Sequence, residues 1–215
     1  MTDTLIVMGK EPRPGFSKTR LASDIGVERA ASFAHAFALD SLDAARDASA
    51  SVIVAFAPED ARPWFARHAG FAECVAQRGA DLGERLSHAF EAAFERGAER
   101  VVVIGTDTPQ LGASALDAAF DTLRRAEACI GPASDGGYYL LGLTRFEPAL
   151  FEDIPWSTER VLEATLARLG DAGFRTVELE TQTDADDGSS LAELESALVS
   201  RPGIAPRTRA LLGLD

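Results

Sequence analysis

The chain has 215 residues, 46% hydrophobic and 26% charged, a balance that suits one soluble globular unit with a full core. Its formal net charge of −13 makes nucleic acid and anionic membrane surfaces unexpected partners. No run approaches the ~20 apolar residues of a membrane span and no leader pattern opens the chain, so a cytoplasmic protein is expected.

A first strand is expected over residues 4–8, followed by a glycine turn and a basic loop over 10–19 that opens a helix. A helix over 27–46, a strand over 51–57, a short helix over 62–68 and a strand over 72–76 come next. Residues 83–96 read as one helix with a buried face, because Leu82, Leu86, Ala89, Phe90, Ala93 and Phe94 recur at three- and four-residue spacing. A strand over 100–105, a helix over 113–125, strands over 128–131 and 138–143, a helix over 158–169 and a strand over 176–179 follow. The tail 201–215, with Pro202, Gly203 and Pro206, reads as peripheral to a single domain over 1–200.

The strands around Ile53 and Val102 are apolar at consecutive positions, as in parallel strands covered on both faces. Alternation of strands and helices predicts an α/β fold, a three-layer α/β/α sandwich on a mostly parallel sheet. Ligands in such folds sit beyond the carboxyl ends of the strands, which singles out loops 10–19, 77–84, 106–111 and 133–137. Cys74 and Cys129 lie in apolar, strand-like runs without metal-type spacing and are expected as buried free thiols.

The chain's two lysines, Lys10 and Lys18, both fall in the first loop, together with Arg13 and Arg20. A compact ammonium, rather than a planar guanidinium fork, is favoured there. Gly9 and Gly15 supply tight turning, and a loop that opens a helix favours an anion through its amides and dipole. The Gly-Lys-Ser/Thr adjacency of a P-loop is missing, since Phe16 and Ser17 separate Gly15 from Lys18.

The strand over 100–105 ends in Thr106-Asp107-Thr108-Pro109, which sets a carboxylate at a strand's carboxyl end, where a divalent metal bridging phosphates would sit. A late acidic run, Asp184-Ala-Asp186-Asp187, offers a second carboxylate for that metal, although such clusters more often decorate a surface loop or a helix start. Asp135-Gly136-Gly137-Tyr138 permits either close approach to a ligand or a hairpin turn. Trp156, before Ser157 and Thr158, suits either stacking on a base or sugar or packing. His35, His68 and His88 have no ligand-type partners, and no Ser/His/Asp or Cys/His arrangement supports covalent hydrolysis.

Taken in order, Gly9-Lys10 with Pro12-x-Pro-Gly15-x-x-Lys-Thr-Arg-Leu21, Asp81-Leu-Gly-Glu-Arg-Leu86, Gly105-Thr-Asp-Thr-Pro109, Gly131-Pro132 with Asp135-Gly-Gly-Tyr138, and Ile154-Pro-Trp-Ser-Thr158 resemble one bacterial family. It is the glycosyltransferase-A-like family related to cofactor guanylyltransferases, often labelled an arsenosugar or selenium-associated glycosyltransferase. The resemblance spans residues 5 to about 191. It implies a nucleotide-diphosphosugar-transferase fold with a nucleotide held by the first loop and by Gln77, Gly83 and Arg85. It further implies Lys18 on the phosphates and Mg²⁺ or Mn²⁺ on Asp107 and Asp184, with Asp186 as the alternative second ligand. Asp135 to Tyr138 and Trp156 to Thr158 would shape an acceptor pocket. The expectation is a Mg²⁺-dependent enzyme using a nucleotide sugar and a small acceptor. Nucleotidyl transfer with release of pyrophosphate, or nucleotide binding without catalysis, are the alternatives.

Overall fold

The structure, a computed structural model, describes residues 2–214. Its sheet has strands β1 (Asp3–Lys10), β2 (Ser51–Ala57), β3 (Glu73–Ala76), β4 (Arg100–Ile104), β5 (Ala128–Pro132), β6 (Tyr138–Leu143) and β7 (Thr176–Glu178). The helices are α1 (Thr19–Ile25), α2 (Val27–Asp47), α3 (Arg62–His68), α4 (Leu82–Glu95), α5 (Ala113–Leu123), α6 (Val161–Asp171), α7 (Gly188–Val199) and α8 (Pro206–Leu212). The strand order is β3-β2-β1-β4-β6-β5-β7, and all neighbours are parallel except β6, which runs antiparallel to β4 and β5.

The continuous apolar run of β4, Arg100-Val-Val-Val-Ile104, is buried throughout because helices cover both faces of the sheet. Strand alternation sorts the side chains. Leu5, Val7, Val54, Phe56, Val102 and Ile104 meet α2, α3 and α5 through Leu42, Phe65, Leu116 and Phe120. Ile6, Ala55, Val101, Val103 and Leu141 meet α4 and α6 through Leu86, Phe90 and Leu169. Both cysteines are free thiols; Cys129 is buried, which pushes its pKa up to about 12, and Cys74 is half-buried.

β5 and β6 form an antiparallel hairpin across Asp135-Gly136-Gly137. Asp135 Oδ1 accepts the Gly137 N–H at 2.9 Å, so the motif forms the hairpin turn. Gly136 is required there: it has φ +88, and a Cβ would stand 2.2 Å from the Glu159 carbonyl oxygen.

Two helices lie beyond the sequence expectation. Asp187 caps α7 by accepting the Ser190 N–H at 2.8 Å, and Leu191, Leu194 and Leu198 bury one face of it against Leu21, Phe33 and Phe37 of α1 and α2. The tail, expected at the periphery, instead forms α8, docked on α2. The Asp40 carboxylate, with a side chain 0% exposed, accepts N–H bonds from Arg207 and Thr208 and the Thr208 hydroxyl. A carboxylate from α2 thus caps a helix 167 residues away in sequence. Among the described residues no helix is long and apolar enough to cross a membrane.

Asp40→Ala leaves these buried donors without an acceptor. It should lower unfolding stability by about 1–3 kcal/mol, read as a shift of the urea midpoint, and expose α8 to limited proteolysis. An unchanged midpoint would refute the cap.

Candidate active site

The direction of strand succession reverses between β1 and β4, and the crevice at their carboxyl ends is where α/β sheets bind ligands. A cleft of about 490 Å³ opens there, with the β1 loop on one wall and Gly105 to Thr108 on the other.

Lys18 sits at the start of α1 with left-handed backbone (φ 53, ψ 48), a conformation unfavourable for a residue with a Cβ. Its side chain is 5% exposed. Its Nζ lies 2.8 Å from Asp107 Oδ1, 2.7 Å from Asp186 Oδ1 and 5.7 Å from the centroid of Phe37. Burial acts to lower the lysine pKa, but the two carboxylates outweigh it and hold the ammonium charged above its usual range. Asp186 also takes Arg20 at 2.6 Å, so despite its own burial these cations hold it below the usual carboxylate range.

Asp184 differs. It accepts the Thr108 hydroxyl at 2.7 Å but has no ion pair among the described residues, and burial, reinforced by the fields of Asp107 and Asp135, pushes its pKa up to about 6. The segment holding it is tied to the β4 end by the Gln110 amide on Thr183 O at 2.8 Å and by the Ala185 N–H on Asp107 O at 3.4 Å. The late acidic run therefore divides: Asp184 joins the cleft as an uncompensated carboxylate, Asp186 neutralises Lys18, and Asp187 starts α7.

Asp107 and Asp184 offer hard oxygen donors whose mutual repulsion a divalent cation would offset, so the donor set fits Mg²⁺ or Mn²⁺. No group of three or more His, Cys, Asp or Glu side chains among the described residues converges at ligand spacing. Two carboxylates with the remaining positions left to water and substrate phosphate is the usual way protein binds Mg²⁺.

The other residues singled out in the sequence fall into distinct places. Lys10, at the end of β1, is exposed, lines the cleft and has no ion pair among the described residues. Arg13 is turned away, held by Glu11 and by Asp60 at 3.0 Å, where it braces the loop. Gly9 packs against Phe65, whose ring would be 2.7 Å from a Cβ, and Gly15 has φ +78 in open space. The Gln77 amide donates to Ala55 O at 2.8 Å and Gly9 O at 3.3 Å. Gln77 and Arg85 line a separate groove of about 510 Å³ between α4 and strands β2 and β3. Gly83 is buried under Trp156, whose indole nitrogen would be 2.5 Å from its Cβ; the indole also meets Tyr138 edge-on, with centroids 6.5 Å apart. Trp156 thus packs on Gly83 and Tyr138 while staying half-buried. Ser157 (φ 63) and Thr158, whose hydroxyl donates to Pro155 O at 2.7 Å, complete that brace outside the cleft lining. Tyr138 itself lines the cleft. Sequence reasoning passed over Phe16, 76% exposed at the cleft mouth, and Thr108, although both stand inside the motifs that drew notice.

This sheet order and its crevice define the nucleotide-diphospho-sugar transferase class of fold. The chain belongs to the bacterial family described as "Uncharacterized protein conserved in bacteria (DUF2064)", whose model matches residues 39–158. A protein of Desulfovibrio desulfuricans G20, provisionally named a nucleotide-diphospho-sugar transferase, is 32% identical. The match covers 99% of this chain and 95% of that one, with a TM-score of 0.92. The fold is shared with a CMP:2-keto-3-deoxy-manno-octonic acid synthetase complexed with CTP (13% identity, 92% of this chain, 98% of that chain, TM-score 0.58). It is shared also with Rv0371c of Mycobacterium tuberculosis H37Rv in complex with manganese (16%, 90% and 98%, 0.55). No curated protein matches the chain in sequence.

Asp184 titrates near 6 in the folded chain against 3.8 for an ordinary aspartate. The folded state thus prefers the protonated form, and that preference is lost as pH rises from about 3.8 through 6. In metal-free buffer Asp184→Asn should resist urea better than wild type at pH 7–8, by on the order of 1–2 kcal/mol, with the gap closing near pH 4. A gap independent of pH would refute the uncompensated burial of this carboxyl.

Proposed function

We propose that the protein is a Mg²⁺-dependent transferase that binds a nucleotide sugar in the β1–β4 cleft and moves the glycosyl group to a small acceptor. The observation that carries this reading is the meeting, at the switch point of the sheet, of two lysines with the carboxylates Asp107 and Asp184. Lys10, exposed and without a counter-ion, receives the diphosphate. The α1 start and Lys18 hold the loop in register with the β4 end. Asp107 and Asp184 hold the metal, which when bound neutralises phosphate charge and stabilises the leaving oxygen. Phe16 at the mouth gives the nucleotide or acceptor an apolar face to lie against. The resembling family is often labelled by arsenosugar or selenium chemistry; the proposal extends only to a small acceptor.

Nucleotidyl transfer draws support from the likeness to CTP-using enzymes, which is a likeness of fold. The charge of the β1 loop would suit a triphosphate. That charge is largely spent within the protein: Arg13 on Glu11 and Asp60, Lys18 on Asp107 and Asp186, and Arg20 on Asp186. Lys10, without an ion pair among the described residues, suits a diphosphate better than a triphosphate, which favours glycosyl transfer.

UDP-glucose, GDP-mannose and CTP should be compared by thermal shift with and without Mg²⁺. A nucleotide sugar at ~100 times its dissociation constant should stabilise the fold by about 2.7 kcal/mol in a Mg²⁺-dependent manner. Asp107→Ala should abolish that shift, and Lys10→Ala should weaken binding about 10-fold or more. Binding indifferent to Mg²⁺ and to Asp107→Ala would overturn the reading. Release of pyrophosphate from CTP, instead of a nucleoside diphosphate from a sugar nucleotide, would turn it to nucleotidyl transfer.

A further inference from the structure

We propose that the groove between α4 and strands β2 and β3 is a second ligand site, built for a small organic anion that carries one phosphate at the end of an apolar body. The groove holds about 510 Å³, a size typical of small-molecule sites. Among the described residues none lines both this groove and the β1–β4 cleft, so the site stands independently of the transferase reading.

The floor is apolar because the sheet is left uncovered there. Helix α4 packs on the sheet through Leu86, Phe90 and Ala93, all buried, whereas the groove side of the helix carries the small residues Ala89 and Ala92. Ile53 and Val75 therefore stay half-buried on the strands opposite, with no large side chain laid over them.

Cations gather around the carboxyl end of β3. Arg62 Nη1 donates to Cys74 O at 3.4 Å, with its guanidinium carbon 5.1 Å from the centroid of Phe56. Arg85 Nε donates to Gly79 O at 3.1 Å, and His88 Nδ1 lies 3.1 Å from the carbonyl oxygen of Arg78. Arg62, Arg78 and Arg85 all line the groove, and none has an ion pair among the described residues. Arg85 is also half-buried, and a charge drawn out of water without a counter-ion is costly. In a chain of net charge −13, guanidiniums left together without carboxylates mark a place for an outside anion. Several guanidinium forks suit the three oxygens of a phosphate better than the two of a carboxylate.

The acids of the groove limit the ligand. Glu59 is the acid that lines the arginine end. Glu91 and Glu95 follow about one and two turns beyond His88 on α4, and Arg96 beside them is taken by Glu73 at 2.8 Å. The far end therefore repels a second anionic group, and a ligand charged at one end only is the class that fits.

Naphthyl phosphate is the probe, its fluorescence followed on titration with wild type and variants. Inorganic phosphate, naphthol and naphthoate, read by displacement, should each bind ~10-fold or more weakly than the probe. Arg62→Ala and Arg78→Ala, both at exposed positions, should each weaken the probe ~10-fold or more. Lys10→Ala, and saturating UDP-glucose with Mg²⁺, should leave its affinity within about twofold. No binding by wild type, naphthol or naphthoate binding as tightly as the probe, or affinity indifferent to both arginine variants would overturn the proposal. Loss on Lys10→Ala, or displacement by UDP-glucose with Mg²⁺, would also overturn it by placing the anion in the β1–β4 cleft.

Discussion

A buried ammonium holds three separate parts of this chain in one arrangement. Taking a lysine out of water costs several kcal/mol unless opposite charge comes with it. Lys18 is 5% exposed and finds its partners in Asp107, after β4, and Asp186, before α7. The loop after β1, the turn after β4 and the crossing segment at 182–187 must therefore assemble together. The left-handed backbone at Lys18 is tolerated because these contacts over-determine it. Packing of α7 and α8 on α1 and α2, capped through Asp40, closes the remaining side.

That ion network also sorts the charges of the cleft. Arginines that look like a phosphate cradle in the sequence are used as struts, and Lys10 is left as the ammonium facing the cleft. Among the acids the sorting is complementary. Asp186 is neutralised by Lys18 and Arg20, whereas Asp184 has no ion pair among the described residues.

Much of the fold was legible because its signals are local. Strands 51–57 and 138–143 and helix 62–68 follow from apolar runs and their punctuation, and the structure keeps those bounds. The α7 helix is not among the expected elements although Leu191, Leu194 and Leu198 carry its spacing, because the acidic run before it suits a metal ligand or a surface loop as well as a helix start. Local marks of α8 are few, Pro206 in its first turn and Gly213 at its end, and its N-terminus is completed by Asp40, far away in sequence. Trp156 shows a further limit, since an aromatic beside a helix start gives no sign of what it packs on, and here Gly83 and Tyr138 lie against it.

The sequence by itself determined the strand and helix alternation, and with it the edge of the sheet where chemistry would lie. It also placed Lys10, Lys18, Asp107 and the late acids near that edge, since residues at strand ends have nowhere else to go. Only the tertiary structure decided which charges meet. Ion pairing depends on distances of a few ångströms between segments up to 168 residues apart, and no spacing along the chain encodes that distance.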